Sequence, residues 1–223
     1  MTSPDRDETA EHPGAGTDAT PLHRPLSAKQ ERRLRDYLED RFLAITRAFS
    51  KRSDPASTLR HLSAYLTTIQ PLMSMILLIP PIDPSASLRT LYLLRFTHDL
   101  LEAIPSYQLV GPPPLIDADD SKVVPPVEVT LIQLFDVITQ LDKGWQAVLS
   151  SQFWDPENKT GGESHVSTGG VTMTDRIRLY SLLVTRKETI EQWLESGPVD
   201  LPSDAEEEFA NMFWRTFGIL AEE

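Results

Sequence analysis

Apolar side chains recur at helical spacing in six stretches of this chain, and proline, glycine or a polar cluster closes most of them. In the first stretch, from Ser27 to about Arg52, Leu34, Tyr37, Leu38, Phe42, Ile45, Ala48 and Phe49 form a stripe of about 3.6-residue period. Ser27 and Gln30 have capping-box spacing, with Leu26 placed as a staple residue just outside. Ser53-Asp54-Pro55 then serves as stop and start, because an Asp or Ser side chain can accept from free N–H groups and Pro55 suits a first turn.

The second helix is expected from there, burying Leu59, Leu62, Leu66, Ile69, Leu72, Met73, Ile76 and Ile79. Pro71 removes one backbone bond and predicts a kink near Gln70. Pro80-Pro81 ends it, and Asp83-Pro84 repeats the Asp-Pro start for a third helix to about Ile104. The two helices read as a central hairpin, Leu59 to Pro105, with the other helices as its walls.

A fourth helix runs from about Pro126 to Phe153, with Leu131, Leu134, Phe135, Ile138, Leu141, Trp145, Val148 and Leu149 on one face, stopped by Trp154-Asp155-Pro156. A fifth opens at Thr172, with Asp175 three residues on, and shows Met173, Ile177, Tyr180, Leu183, Ile190 and Leu194. A sixth is expected from Ser203, with Glu206 at capping-box spacing, and it buries Phe209, Met212, Phe213, Phe217 and Leu220 if it closes the core. No alternating strand pattern competes with these periods.

Between the helices lie two long loops, about 105–126 and 155–172. The first holds six prolines and one glycine, and the second has two Gly-Gly pairs in a polar run, which reads as a flexible linker open to proteases. Residues 1–25 carry almost no large apolar groups and cannot offset the entropy of ordering, so an acidic disordered tail is expected. The fold class that follows is all-α: a single bundle of five to six helices over 26–223.

Charge narrows the partners. Of the net −12, none comes from residues 1–105, with 13 acidic and 13 basic side chains, whereas 106–223 hold 20 acidic against 8 basic. Such a chain is poorly suited to neutralising phosphates, and a basic protein surface is the easier partner. The exception is the first helix, where Arg32, Arg33 and Arg35 form a candidate basic face for a weaker nucleic-acid reading. The longest apolar run, Leu72 to Ile79, is far short of the roughly 20 residues of a membrane span. The first 25 residues match neither a signal nor a transit peptide, so an intracellular protein, cytoplasmic or nuclear, is expected.

Chemistry finds little foothold. There is no cysteine, and HExxH, GxSxG, GxGxxG and the P-loop pattern are absent. Asp117, Asp119, Ser121 and Glu128 have calcium-loop spacing, but Lys122 stands where glycine is required and prolines flank the run, so no calcium or other metal is expected, and no cofactor. The reading is a non-enzymatic interaction or scaffold subunit of an intracellular complex, binding another protein or a second copy of itself. Its candidate partner-binding residues are Phe209, Met212, Phe213, Trp214 and Phe217, in the most aromatic short segment. The alternative is a small-molecule-binding domain or enzyme, with a pocket beside the Pro71 kink where Arg95, His98 and Asp99 converge.

Overall fold

The computed structural model describes residues 24–109, 127–164, 170–196, 207 and 209–222. Nearly all of the expected tail, most of the proline-rich loop, residues 165–169 and the Ser203–Glu206 cap lie outside the described residues. Within them the chain is all-α: six α-helices, one 3-10 turn and one small hairpin. The helices are α1 (Ala28–Ser50), α2 (Leu62–Leu77), α3 (Ser85–Ala103), α4 (Val127–Leu149), α5 (Met173–Glu195) and α6 (Trp214–Ala221).

The first cap forms as the spacing predicts. The Gln30 amide donates to Ser27 Oγ and the Gln30 side chain accepts from the Ser27 amide, closing the capping box. The Leu26 amide then donates to Ser85 Oγ, which donates to Glu31, so the entry to α1 is pinned to the start of α3. Further along, Glu39 accepts from Tyr92 (2.9 Å) and from Arg95 (2.7 Å), and these two bonds hold its carboxyl below the usual range. Leu38 and Phe42 are buried beneath that polar seam, while Tyr37, expected in the stripe, is exposed.

All eight apolar residues expected on the second helix are buried, but α2 begins at Leu62 instead of Pro55. Asp54 spends its carboxylate on the Ala56 amide two residues on, a local turn that competes with helix start. Pro71 sits inside α2 without ending it. Asp83 makes no cap for α3, whose N-cap position is Pro84 after a cis peptide bond.

The central element is α4, not the α2–α3 hairpin. All eight expected positions are buried, and so are Val127, Val137, Gln140, Asp142, Gly144 and Ala147, because α2, α3, α6 and the hairpin all lie against this helix. Gly144 permits a close approach of α2: a Cβ there would stand 2.9 Å from Leu77 Cδ2. The helix ends at Leu149, four residues before the expected Phe153.

The absence of strands is the second correction. β1 (Gln152–Asp155) and β2 (Thr160–Ser164) pair antiparallel, Trp154 opposite Gly161 and Asp155 opposite Thr160. Asp155 builds the turn, accepting from the amides of Glu157 and Asn158 and from the Asn158 side chain, which lowers its pKa; Lys159 takes the left-handed region at φ 50°. Trp154 is buried in the common core, so the pair does not depend on its own few bonds.

Candidate functional site

Helices α1, α2 and α3 enclose a groove of about 190 Å³ floored by Phe42, Phe49, Tyr65, Ile69, Leu72 and Phe96. Ile69 and Leu72 of α2 line it, Pro71 does not, and the expected cluster is not assembled there. Asp99 lines the groove; His98 does not, and its Nδ1 stands 3.4 Å from both Asp99 and Glu102 on an exposed surface. Arg95 turns to Glu39, staying 3.9 Å from Asp99. The volume is below the roughly 300 Å³ at which drug-sized ligands begin to fit.

Burial raises the pKa of Asp99 from 3.8, against the lowering effects of the His98 hydrogen bond and the Arg95 charge. A carboxyl whose folded pKa is raised favours folding most when protonated. Its penalty is therefore present at neutral pH and is relieved as pH falls through the raised value toward 3.8. Asp99→Asn is expected to raise the melting temperature at pH 7 and to flatten the pH profile between pH 7 and 4. An unchanged profile in thermal melts would place the titration elsewhere.

The aromatic C-terminal segment is divided by the structure. The single helix expected from Ser203 is interrupted at Asn211–Phe213, where Phe213 adopts the left-handed region at φ 60° before α6 begins. Phe209, Met212 and Phe213 are buried in the chain's own core, with Phe209 edge-on to Phe135 at 6.5 Å. Trp214 is 57% exposed, and Phe217 is half-buried with its ring edge-on to Tyr180 at 5.8 Å. Of the five candidate partner-binding residues, Trp214 and Phe217 reach a surface.

That contact leads to a second surface, on α5. On α5, Leu179, Leu183, Ile190 and Leu194 are buried, whereas Met173, Ile177, Tyr180 and Val184 are 61, 59, 50 and 44% exposed. The four exposed residues follow i, i+4, i+7, i+11 spacing, one stripe along a helix side. The Tyr180–Phe217 ring pair joins this stripe to α6. The signal was the presence of two apolar stripes on α5, both of helical period.

Arg32, Arg33 and Arg35 are exposed on α1, as a basic face requires, but Asp36, Glu39 and Asp40 are exposed in the same turns. Among the described residues no group of His, Asp and Glu could hold a metal ion, and no helix is long and apolar enough to cross a membrane.

The fold is thus an all-helical protein with apolar side chains standing on open helix sides. A family model described as TFB6, subunit 11 of the general transcription factor TFIIH, matches residues 68–212, and the chain belongs to that family. It is accordingly a subunit of a multiprotein complex, working inside the cell with protein partners. No curated protein and no solved structure matches the chain. The matched span starts inside α2 and ends at Met212, so α1 and α6 lie outside it.

Proposed function

We propose that this chain is a non-enzymatic, nuclear subunit of a TFIIH-type assembly, and that it docks on another subunit through the joined surface of α5 and α6. The observation that supports this reading most is the stripe Met173, Ile177, Tyr180 and Val184, which remains exposed although the same helix buries four other apolar residues. Large aliphatic and aromatic groups left in water on one helix side match the anchors of helix–helix recognition between proteins. Membership in a family of complex subunits supplies the class of occupant, another protein of the complex. The acidic balance of residues 106–223 would speed encounter with a basic partner surface.

The test is purification of the full-length chain from its native cells, comparing wild type with Ile177→Asp/Tyr180→Ser. Both positions face solvent, so circular dichroism is expected to show an unchanged fold. Recovery of the complex is expected to fall by roughly tenfold or more, since two lost anchors of about 1 kcal/mol or more each exceed the 1.4 kcal/mol of one decade. Full recovery with the variant would remove this face from the interface. A self-dimer abolished by the same two changes would replace the other subunit with a second copy.

A further inference from the structure

Four aromatic rings, Phe42, Phe49, Tyr65 and Phe96, line the groove between α1, α2 and α3. Asp99 and Glu102 line it too, and their carboxylates are the only charges among its lining residues. Both are open to solvent, with side chains 39 and 56% exposed, so a group arriving from outside reaches them. They also bear on the interior. The pKa of the Tyr65 hydroxyl, inside the groove, is pushed up by burial first and then by the electrostatic influence of Asp99, Tyr107 and Glu102.

The cations nearby are engaged elsewhere or stand at long range. Arg95 donates to Glu39 at 2.7 Å with its guanidinium over the Phe42 ring, and approaches Asp99 no closer than 3.9 Å. Arg52 lies over the Phe49 ring and donates to the Phe49 carbonyl. His98 stands 3.4 Å from both carboxylates and Arg186 3.4 Å from Glu102, longer than the roughly 2.7–2.9 Å of a strong charge-assisted bond. A carboxylate accepts at about four lone-pair positions, which leaves capacity for a further cation.

Size and charge together define the guest. An apolar cavity of about 150 Å³ admits benzene, so the groove's 190 Å³ holds one phenyl side chain. Its four rings favour an aromatic guest, whose edges and faces pair with theirs. The acidic rim asks for a basic neighbour. Residues 1–23, 110–126 and 197–206 each hold more carboxylates than cations, so these segments of the chain match the rim poorly.

We propose that this groove receives a phenylalanine ring of a partner protein that carries arginine or lysine beside it, the ring entering the cleft and the cation meeting Asp99 and Glu102. No exposed apolar residue of the α5–α6 face lines the groove, so each surface is lost or kept without the other.

The experiment is an NMR titration of the full chain labelled with ¹³C at methyl groups, following Ile45, Ile69 and Leu72 in the groove and Ile177 outside it. The probe is N-acetyl-Phe-Arg amide, with the Phe-Glu and Ala-Arg analogues added in parallel at matched low ionic strength. The three groove signals are expected to move saturably with Phe-Arg, at a Kd on the order of 1 mM, while Ile177 stays in place. Phe-Glu is expected to bind about fivefold more weakly, and Ala-Arg not to saturate. In Asp99→Asn/Glu102→Gln, where a desolvation cost is relieved and an exposed charge removed, the fold is kept and the preference for Phe-Arg over Phe-Glu disappears. A preference that survives in that variant, or groove signals that never move saturably in the wild type, would overturn the proposal. Equal binding of Phe-Arg and Phe-Glu by the wild type would overturn it in favour of a pocket for small apolar molecules. Groove signals that shift with protein concentration alone would overturn it in favour of a second copy of the chain.

Discussion

Asp142→Ala is expected to cost about 3 kcal/mol and to loosen α6 from the rest of the molecule, because this one carboxylate makes the cap that α6 lacks. Helix α6 starts after Phe213, which supplies no side-chain cap, so its first amides need acceptors from elsewhere. Asp142, buried on α4, accepts from the Thr216 amide at 3.0 Å and the Thr216 hydroxyl at 2.7 Å, while its other oxygen meets Arg215 at 3.2 Å. A negative charge at a helix N-terminus is favoured further by the aligned peptide dipoles. Alanine would leave the amide of Thr216, itself fully buried, with no acceptor, and its hydroxyl with only the long 3.4 Å bond to the carbonyl of residue 142.

Asp142→Asn keeps one acceptor oxygen and loses the charge, so about half the effect is expected. Urea unfolding measures the loss, and trypsin cleavage after Arg215 reports the release of α6. Alanine variants that unfold within 1 kcal/mol of wild type and resist trypsin equally would show that apolar contacts alone hold α6.

Trp145→Ala is expected to be the most damaging core change, about 4 kcal/mol, against the roughly 5–15 kcal/mol that holds a domain of this kind folded. Trp145 is fully buried on α4, and its indole Nε1 donates to Thr97 Oγ1 at 2.9 Å, with Thr97 in turn donating to the Leu93 carbonyl at 2.7 Å. Alanine removes the ring and leaves a cavity between α3 and α4. Trp145→Phe keeps most of the volume and strands no donor, because the Thr97 hydroxyl retains its bond to Leu93; a loss of about 2 kcal/mol is expected. Chemical denaturation of both variants separates the terms. Equal losses for Phe and Ala would mean that the hydrogen bond, and not the filled volume, dominates.

Legibility differed between elements for a physical reason. On α2 and α4 every apolar position read from the period is buried, because the stripes of those helices meet partners across most of their girth. Helix α5 carries two stripes, and period alone contains no term for which one faces inward. Its contacts with α3, the 3-10 turn at Ile104–Ser106 and α6 select Leu179 and Leu183 and leave Ile177 and Tyr180 outside. The hairpin was invisible for a related cause. Its strands of four and five residues include a Gly-Gly pair and have little local preference for extension, so they depend on burial of Trp154 and on the Asp155 turn. Phe209, Met212 and Phe213 stood both as core closure and as a partner face, because an aromatic run on a terminal helix has the same pattern whether it closes a core or meets a partner.

What the sequence determined by itself was the helical class, the approximate helix spans, the caps at Ser27 and Thr172, and the scarcity of catalytic motifs. All of these rest on interactions within a few residues, which periodicity and capping chemistry encode directly. The tertiary structure alone decided that α4 is central, that Asp142 caps a helix beginning 72 residues later, that α5 turns one stripe outward, and that Arg89 lies buried with its Nη1 bonded to the Gln152 carbonyl. Those outcomes depend on groups distant in the chain meeting in space, and a buried charge or an exposed stripe acquires its meaning only from the neighbours that folding gives it or withholds.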